Sequence, residues 1–271
     1  MISQEMIDRA ARLVSGCHRV TALTGAGISA ESGISTYRDP GGLWDRYPEG
    51  SSGGIVAVMA RHPEDAPQIL MDFLNGIRTA RPNPGHRALV DLERMGYLRA
   101  VITQNVDNLH REAGNSRVFE MHGNIYRLRC LKCGEKKVLE RDMFFEVFEG
   151  SIAKMKRFSF AEMASHFPAC SCGGNTRLDA VTFGEPVQDL NEAMVEARAC
   201  NLMLILGTSG VVYPAASLPS MAKSAGALLI EINPRESALT DQSDLFLEGN
   251  TGEILPRIVL SLKEIVTTEG R

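Results

Sequence analysis

The run Thr24-Gly25-Ala26-Gly27-Ile28-Ser29-Ala30 directly follows the apolar stretch 20–23. Gly25, Gly27 and Ala30 fit the pattern G-x-G-x-x-G/A. There a strand turns into a helix so tightly that backbone can approach a pyrophosphate at the helix N-terminus. The same spacing also suits a tight turn with no ligand. A dehydrogenase would add an acidic residue about 20 positions on, at the end of the second strand. The nearest, Asp45, lies in Gly42-Leu43-Trp44-Asp45-Arg46, which does not read as a strand. Hydride transfer is therefore not implied.

A second polar group follows the apolar stretch Val101-Ile102-Thr103: Gln104, Asn105, Val106, Asp107 and Asn108. In an open parallel sheet ligands bind beyond the carboxyl ends of the strands. Amide and carboxylate groups there can hydrogen-bond ribose hydroxyls and a carboxamide. Asp107 could equally do no more than cap a helix over residues 108–113. His122 stands between Met121 and Gly123, just after Val118-Phe119. An imidazole at a strand end can take up a proton near neutral pH, or can serve as a structural hydrogen-bonding residue. His18, His62 and His166 sit in polar contexts and read as solvated. His86 follows Asn83-Pro84-Gly85, and His110 falls in the predicted helix.

Four of the six cysteines come in two close pairs, Cys130-Leu131-Lys132-Cys133-Gly134 and Cys170-Ser171-Cys172-Gly173-Gly174. Four thiolates suit a closed tetrahedral zinc site, which leaves no open position for water and so serves structure. The alternative is four unpaired buried thiols. Cys17 and Cys200 stand alone in helical patterns and read as small core residues.

These groups need elements to place them. An amphipathic helix spans residues 3–15. Asn83-Pro84 reads as an N-cap followed by proline at the first helical position, opening a helix that stops at Gly96. Residues 202–206 and 227–232 are apolar runs of the kind buried on both faces of a parallel sheet. Helical patterns lie between them, at about 190–199 and 215–224. This alternation predicts an α/β fold with a doubly wound parallel sheet. Residues 48–81 and 130–174 break the rhythm and read as insertions that together form a smaller domain.

The formal net charge is −4, with 44% hydrophobic and 23% charged residues over 271 positions. That describes an ordinary globular protein without the basic face of a nucleic-acid binder. No apolar run reaches the length of a membrane span, and the first residues lack a signal-peptide core. With its cysteines read as metal ligands, the chain is expected in the cytoplasm.

Taken in order, the motifs resemble those of the sirtuin family of NAD-dependent protein deacylases. The markers run from Gly25 through Ser29, Glu31, Ser32, Gly33 and Ile34 to Thr103-Gln104-Asn105-Val106-Asp107 and His122-Gly123. After the cysteine pairs come Phe183-Gly184-Glu185, Gly207-Thr208-Ser209 and Ile232-Asn233-Pro234. Singly each is weak; the ordered set is specific and spans about residues 23–256. The resemblance implies a Rossmann-like NAD domain over 1–47, 82–129 and 175–271. It implies a small domain from the helical insertion 48–81 and the zinc-binding insertion 130–174, with Cys130, Cys133, Cys170 and Cys172 as ligands of one structural Zn2+.

Residue by residue, the resemblance implies that Gly25, Ala26, Gly27 and Ser29, continuing into Ala30 and Glu31, cradle the pyrophosphate. Arg38 and the loop to Trp44 cover the cofactor, with Tyr37 over the nicotinamide pocket. Gln104 and Asn105 address the ribose, Val106 and Asp107 the nicotinamide side. Gly207, Thr208 and Ser209 take the phosphates. Asn233, followed by Pro234 and Arg235, takes the adenosine ribose, and Thr251 the adenine.

The implied reaction passes an acyl group from a protein lysine to the ribose of NAD. His122 acts as general base and Asn105 assists. The products are nicotinamide, O-acyl-ADP-ribose and free lysine. The acyl-lysine substrate would lie as an added strand beside Val181, Phe183 and Gly184. Members of the family that prefer acidic acyl groups carry Tyr-x-x-Arg in the acyl pocket. Here those positions become Leu70 and Phe73, which favours acetyl or longer apolar groups over succinyl. Ser35, Tyr37, Leu178 and the short C-x-C pair depart from the family pattern. An NAD-dependent ADP-ribosyltransferase is the alternative, although such relatives usually lack the histidine. A non-catalytic NAD-binding module is a third reading. The expected partners are acyl-lysine proteins, with no nucleic acid or membrane, and the expected state is a monomer or weak oligomer.

Overall fold

The structure is a computed structural model, and it describes residues 2–36, 42–153 and 167–268. Tyr37, Arg38 and His166 lie outside the described residues.

Six strands form one parallel sheet: β1 (Val20–Thr24), β2 (Leu98–Thr103), β3 (Val118–Glu120), β7 (Leu202–Leu206), β8 (Leu228–Asn233) and β9 (Leu245–Glu248). Between β3 and β7 in sequence come β4 (Gly123–Cys130), β5 (Lys136–Val138) and β6 (Thr176–Ala180). The large sheet has the order β3-β2-β1-β7-β8-β9. The order reverses between β1 and β7, so a crevice opens beyond the carboxyl ends of those two strands. β1 and β7 are buried at every position, as the unbroken apolar runs predict.

Helices cover both faces. On one face lie α1 (Gln4–Ser15), α6 (Pro84–Arg94) and α11 (Thr251–Thr268), which pack on one another. Ile7, Val14, Leu89, Leu92, Ile254, Leu255, Ile258 and Leu262 meet Leu202, Leu204 and Leu206 in one core cluster. On the other face α9 (Leu190–Ala199) and α10 (Leu218–Ser224) meet Met203, Ile205 and Leu229. The period of two along β7 thus feeds two cores from one strand. Each fully buried aliphatic side chain contributes about 1.5–3 kcal/mol. The caps follow the sequence: the Ser3 hydroxyl accepts from Met6 N–H, and Asn83 Oδ1 accepts from the N–H groups of Gly85 and His86.

The two insertions build a separate core. Helices α4 (Gly50–Arg61), α5 (Ala66–Thr79) and α8 (Arg141–Ile152) bury Met59, Leu70, Leu74, Ile77, Phe144, Phe145 and Phe148 together with Ile125, Tyr126 and Leu128 of β4. Arg141 ties the insertions to each other. Its guanidinium donates to the carbonyl oxygens of Ile77, Arg78 and Ala80, where α5 ends and leaves its last acceptors unpaired. Strands β5, β4 and β6 form a small antiparallel sheet with β4 in the middle. A buried charge network joins it to the large sheet. Glu120, at the end of β3, accepts from Arg111 and Arg127, and Arg127 also reaches the fully buried Asp179 of β6.

Candidate active site

The carboxyl ends of β1, β2, β7 and β8 bring most of the expected residues together. After β1, Gly25 opens the short helix α2 (Ala26–Ala30). Gly27 N–H donates to Gly207 O at 2.8 Å, and a Cβ on Gly27 would lie 2.7 Å from the Gly207 Cα. These glycines are therefore required by the turn after β1 pressing against the turn after β7, whatever ligand lies above them. Sequence spacing had suggested a pyrophosphate as the reason; the structure adds a second reason inside the protein.

After β2 the polar loop folds back onto α2. Asn105 Nδ2 donates to Gly25 O and to Ser29 Oγ, both at 3.0 Å. The Ser29 hydroxyl donates to Asp107 Oδ2 at 2.6 Å. Asp107 Oδ1 accepts from Leu109 N–H, the first residue of α7 (Leu109–Ala113). The capping reading of Asp107 holds for one oxygen, while the other is engaged by Ser29. Burial pushes its carboxyl above the ordinary value, against the pull of the Ser29 hydroxyl. Gln104 Nε2 donates to Thr208 Oγ1 at 2.9 Å, bridging the ends of β2 and β7. Val106 gives its carbonyl to Ile125 N–H and packs on the second core.

His122 joins β3 to β4. Its Nδ1 lies 2.9 Å from Gln104 O. A carbonyl can only accept, so Nδ1 carries the proton of the neutral ring and Nε2 keeps its lone pair. Burial lowers the His122 pKa below its ordinary 6.5, only partly offset by the carbonyl. The ring is therefore a neutral base at physiological pH. The glycine after it is obligatory. Gly123 has φ 77°, and a Cβ there would overlap the Asp179 carbonyl oxygen.

At β8, Asn233 Nδ2 donates to Thr208 O at 2.9 Å and to Glu231 Oε1 at 2.7 Å. Glu231 is fully buried and also accepts from Ser237 and Thr240. Sequence reasoning passed over this residue. Its signal was a lone acid inside the apolar run 227–232, where only a site with several donors can hold one. Pro234, Arg235, Ser209 and Ala30 are exposed around this rim. Thr251 is buried at the start of α11, where the Glu31 carboxylate accepts from Gly252 N–H at 2.6 Å. Trp44 lies in α3 (Leu43–Arg46) with its ring against Gly50. Among the described residues, donors and acceptors suited to a dinucleotide thus line the switch point from Ser29 to Asn233.

Beyond β6, Val181 N–H donates to His122 O at 2.8 Å, and Glu185 N–H to Thr182 O closes a turn through Phe183 and Gly184. Phe183 is 54% exposed and overhangs Gly54. β6 itself is the edge of the small sheet. His62 differs from expectation: it is half-buried, bonded to Glu49 at 2.8 Å and packed on Tyr47.

The sulfur atoms of Cys130, Cys133, Cys170 and Cys172 lie within 4.8 Å of one another, with the closest pairs at 3.6 Å. Zinc–sulfur bonds of about 2.3 Å place tetrahedral sulfurs about 3.8 Å apart, so the donor set fits zinc. The short C-x-C pair still brings both its sulfurs into the cluster. The N–H groups of Lys132 and Cys133 donate to Cys130 Sγ; the Cys133 N–H is the main cause that brings the Cys130 thiol down to about 6.

A family model described as "Sir2 family" matches residues 25–214, well over half of the chain. The chain belongs to the Sir2 family. It is 47% identical over 263 residues to a protein named NAD-dependent protein deacylase from Desulfosudis oleivorans, covering 96% of each chain. A solved structure of a Sir2 homologue in complex with NAD shares 35% identity at a TM-score of 0.76, covering 96% of this chain and 94% of that one. A Sir2 protein bound to a myristoylated histone peptide shares 33% identity at a TM-score of 0.69, covering 98% of this chain and all of that one. The Rossmann-like sheet of this sirtuin carries a four-cysteine cluster that can hold a metal ion. Among the described residues no helix is long and apolar enough to cross a membrane.

Proposed function

We propose that this sirtuin removes acyl groups from protein lysines in an NAD-dependent reaction, with His122 as general base. The observation that carries the reading is the 2.9 Å contact of His122 Nδ1 with Gln104 O. It fixes the tautomer that leaves Nε2 basic, and the carbonyl that fixes it belongs to the residue before Asn105. NAD, as co-substrate, would supply an electrophilic ribose carbon when nicotinamide leaves, to be captured by the carbonyl oxygen of the acyl-lysine, and a ribose hydroxyl to receive the acyl group. Asp107, Ser29 and Asn105 would orient the nicotinamide and its ribose. His122 Nε2 would take the proton of that hydroxyl as the oxygen attacks the acyl carbon; the lysine amine would then leave, and one water would complete O-acyl-ADP-ribose. Gly25, Ala26, Gly27, Gly207, Thr208 and Ser209 would surround the phosphates, and Asn233, Pro234, Arg235 and Thr251 the adenosine. The zinc would hold the small domain and take no part in chemistry. His122 disfavours the ADP-ribosyltransferase alternative.

The acyl-lysine peptide would extend beside β6 and reach Val181, Phe183 and Gly184, because β6 is an edge strand. The division into 1–47, 82–129 and 175–271 against 48–81 and 130–174 is supported by the second core, with β4 shared between the bodies. A four-thiolate cluster in place of disulfides supports a reducing, cytoplasmic setting. We place the protein there as a monomer or weak oligomer. Leu70 and Phe73 pack within the second core. A succinyl carboxylate brought against these two apolar side chains would lose water and find no cation in either of them. Acetyl-lysine peptides should be turned over at least tenfold faster than succinyl-lysine peptides. Faster desuccinylation would overturn the acyl assignment.

A further inference from the structure

Two buried threonines end the strands that carry the site. Thr24 and Thr103 are in register on β1 and β2, and their hydroxyl oxygens lie 2.8 Å apart. Parallel strand pairing needs only backbone groups, so this side-chain bond is extra to it. Thr103 Oγ1 also accepts the backbone N–H of Asn105 at 3.0 Å. On the far side, Thr24 Oγ1 lies 2.9 Å from His110 Nε2. An unbroken chain therefore runs from His110 through Thr24 and Thr103 to Asn105, whose amide holds Gly25 O and Ser29 Oγ. With Thr24 donating to Thr103, His110 must donate from Nε2.

His110 is 2% exposed, and the fully buried His86 packs on its ring at 4.9 Å between centroids. Among the described residues neither ring meets a carboxylate, so neither histidine is held by an ion pair. Burial keeps both neutral. A histidine this enclosed, spending its one side-chain bond on a threonine beneath the pocket, is costly as mere filler.

We infer that His110 is a positioning residue, which acts through Thr24 and Thr103 to fix the Asn105 backbone and so aim its side chain at the cofactor. It touches neither NAD nor peptide. The inference rests on the reading of Asn105 as an NAD contact. A shift of about 1 Å in a reacting geometry costs on the order of 100-fold in rate, so a loosened Asn105 should appear in kcat.

The test compares kcat and KM for NAD and acetyl-lysine peptide, with melting temperature, in Thr24→Val, Thr103→Val, His110→Leu, His110→Gln and Asn105→Ala. Valine matches threonine in shape and puts a methyl group in place of the hydroxyl. Thr24→Val and His110→Leu should each lower kcat about tenfold or more, with peptide KM within about twofold. The pair together should be no worse than either alone, because both cut one chain. His110→Gln, which keeps a donor, should recover most of kcat. Wild-type kcat in Thr24→Val and Thr103→Val, with Asn105→Ala inactive, would overturn the inference and leave the function standing. An active Asn105→Ala would overturn the reading of Asn105 beneath it. A fall in melting temperature alone, at unchanged kcat, would reduce His110 to a packing residue.

Discussion

His122 shows how backbone geometry can hold an imidazole neutral with Nε2 unprotonated. Its own carbonyl accepts from Val181, its ring donates to Gln104, and the glycine beside it allows the close pass under Asp179. In the proposed role of base the ring must be neutral. Because burial lowers its pKa, protonation should cut activity only at pH values below 6.5. The acid limb of kcat/KM is expected with its midpoint below 6.5, and a midpoint above 7 would contradict the buried setting. Much of this was legible: His122-Gly123 and the Gln104–Asp107 run stand out as polar residues at strand ends. The partners were not. Nothing local in the sequence says that Asn105 meets Ser29, 76 positions away, or that Glu231 sits beneath Asn233.

Single elements make their own predictions. The turns after β1 and β7 interlock at Gly27 and Gly207, where the obstructing atoms are backbone and cannot swing aside. Gly27→Ala should lose NAD binding and lower the melting temperature by several degrees; calorimetry and NAD titration would show it. An unchanged NAD affinity would mean that the turn tolerates separation. The cysteine module predicts the effect of metal loss. Stripping zinc with a strong chelator should lower the melting temperature, and elemental analysis should find about one zinc per chain. A chain with no zinc and an unchanged melting curve would refute the site. The cysteine spacing disclosed this module directly. The join made by Arg141 across the two insertions was invisible, because 60 or more residues separate donor and acceptors.

Across the whole molecule, the doubly wound sheet was readable from apolar runs alternating with helical periods. Strands buried on both faces must be apolar throughout, which is what residues 202–206 display. The two insertions were visible as broken rhythm, but not the share of β4 in the second core. The buried histidines also set a global property. His86 falls from 6.5 to about 4, and His110 and His122 are lowered too. The unfolded chain thus binds more protons than the folded one below pH 6.5. Stability is complete above 6.5 and is lost as pH falls toward 4, with about 3 kcal/mol from His86 alone. Denaturant midpoints measured from pH 7 to 4.5 should fall steadily, and less steeply in His86→Leu. A flat profile would contradict the enclosure of these rings.

The most direct test of the central claim is nicotinamide release from NAD, with and without an acetyl-lysine peptide, for wild type and His122→Ala. Release that requires the peptide, together with at least a 100-fold loss of deacetylation in the variant, is the predicted result. Equal release without peptide, or full deacetylation by His122→Ala, would contradict it.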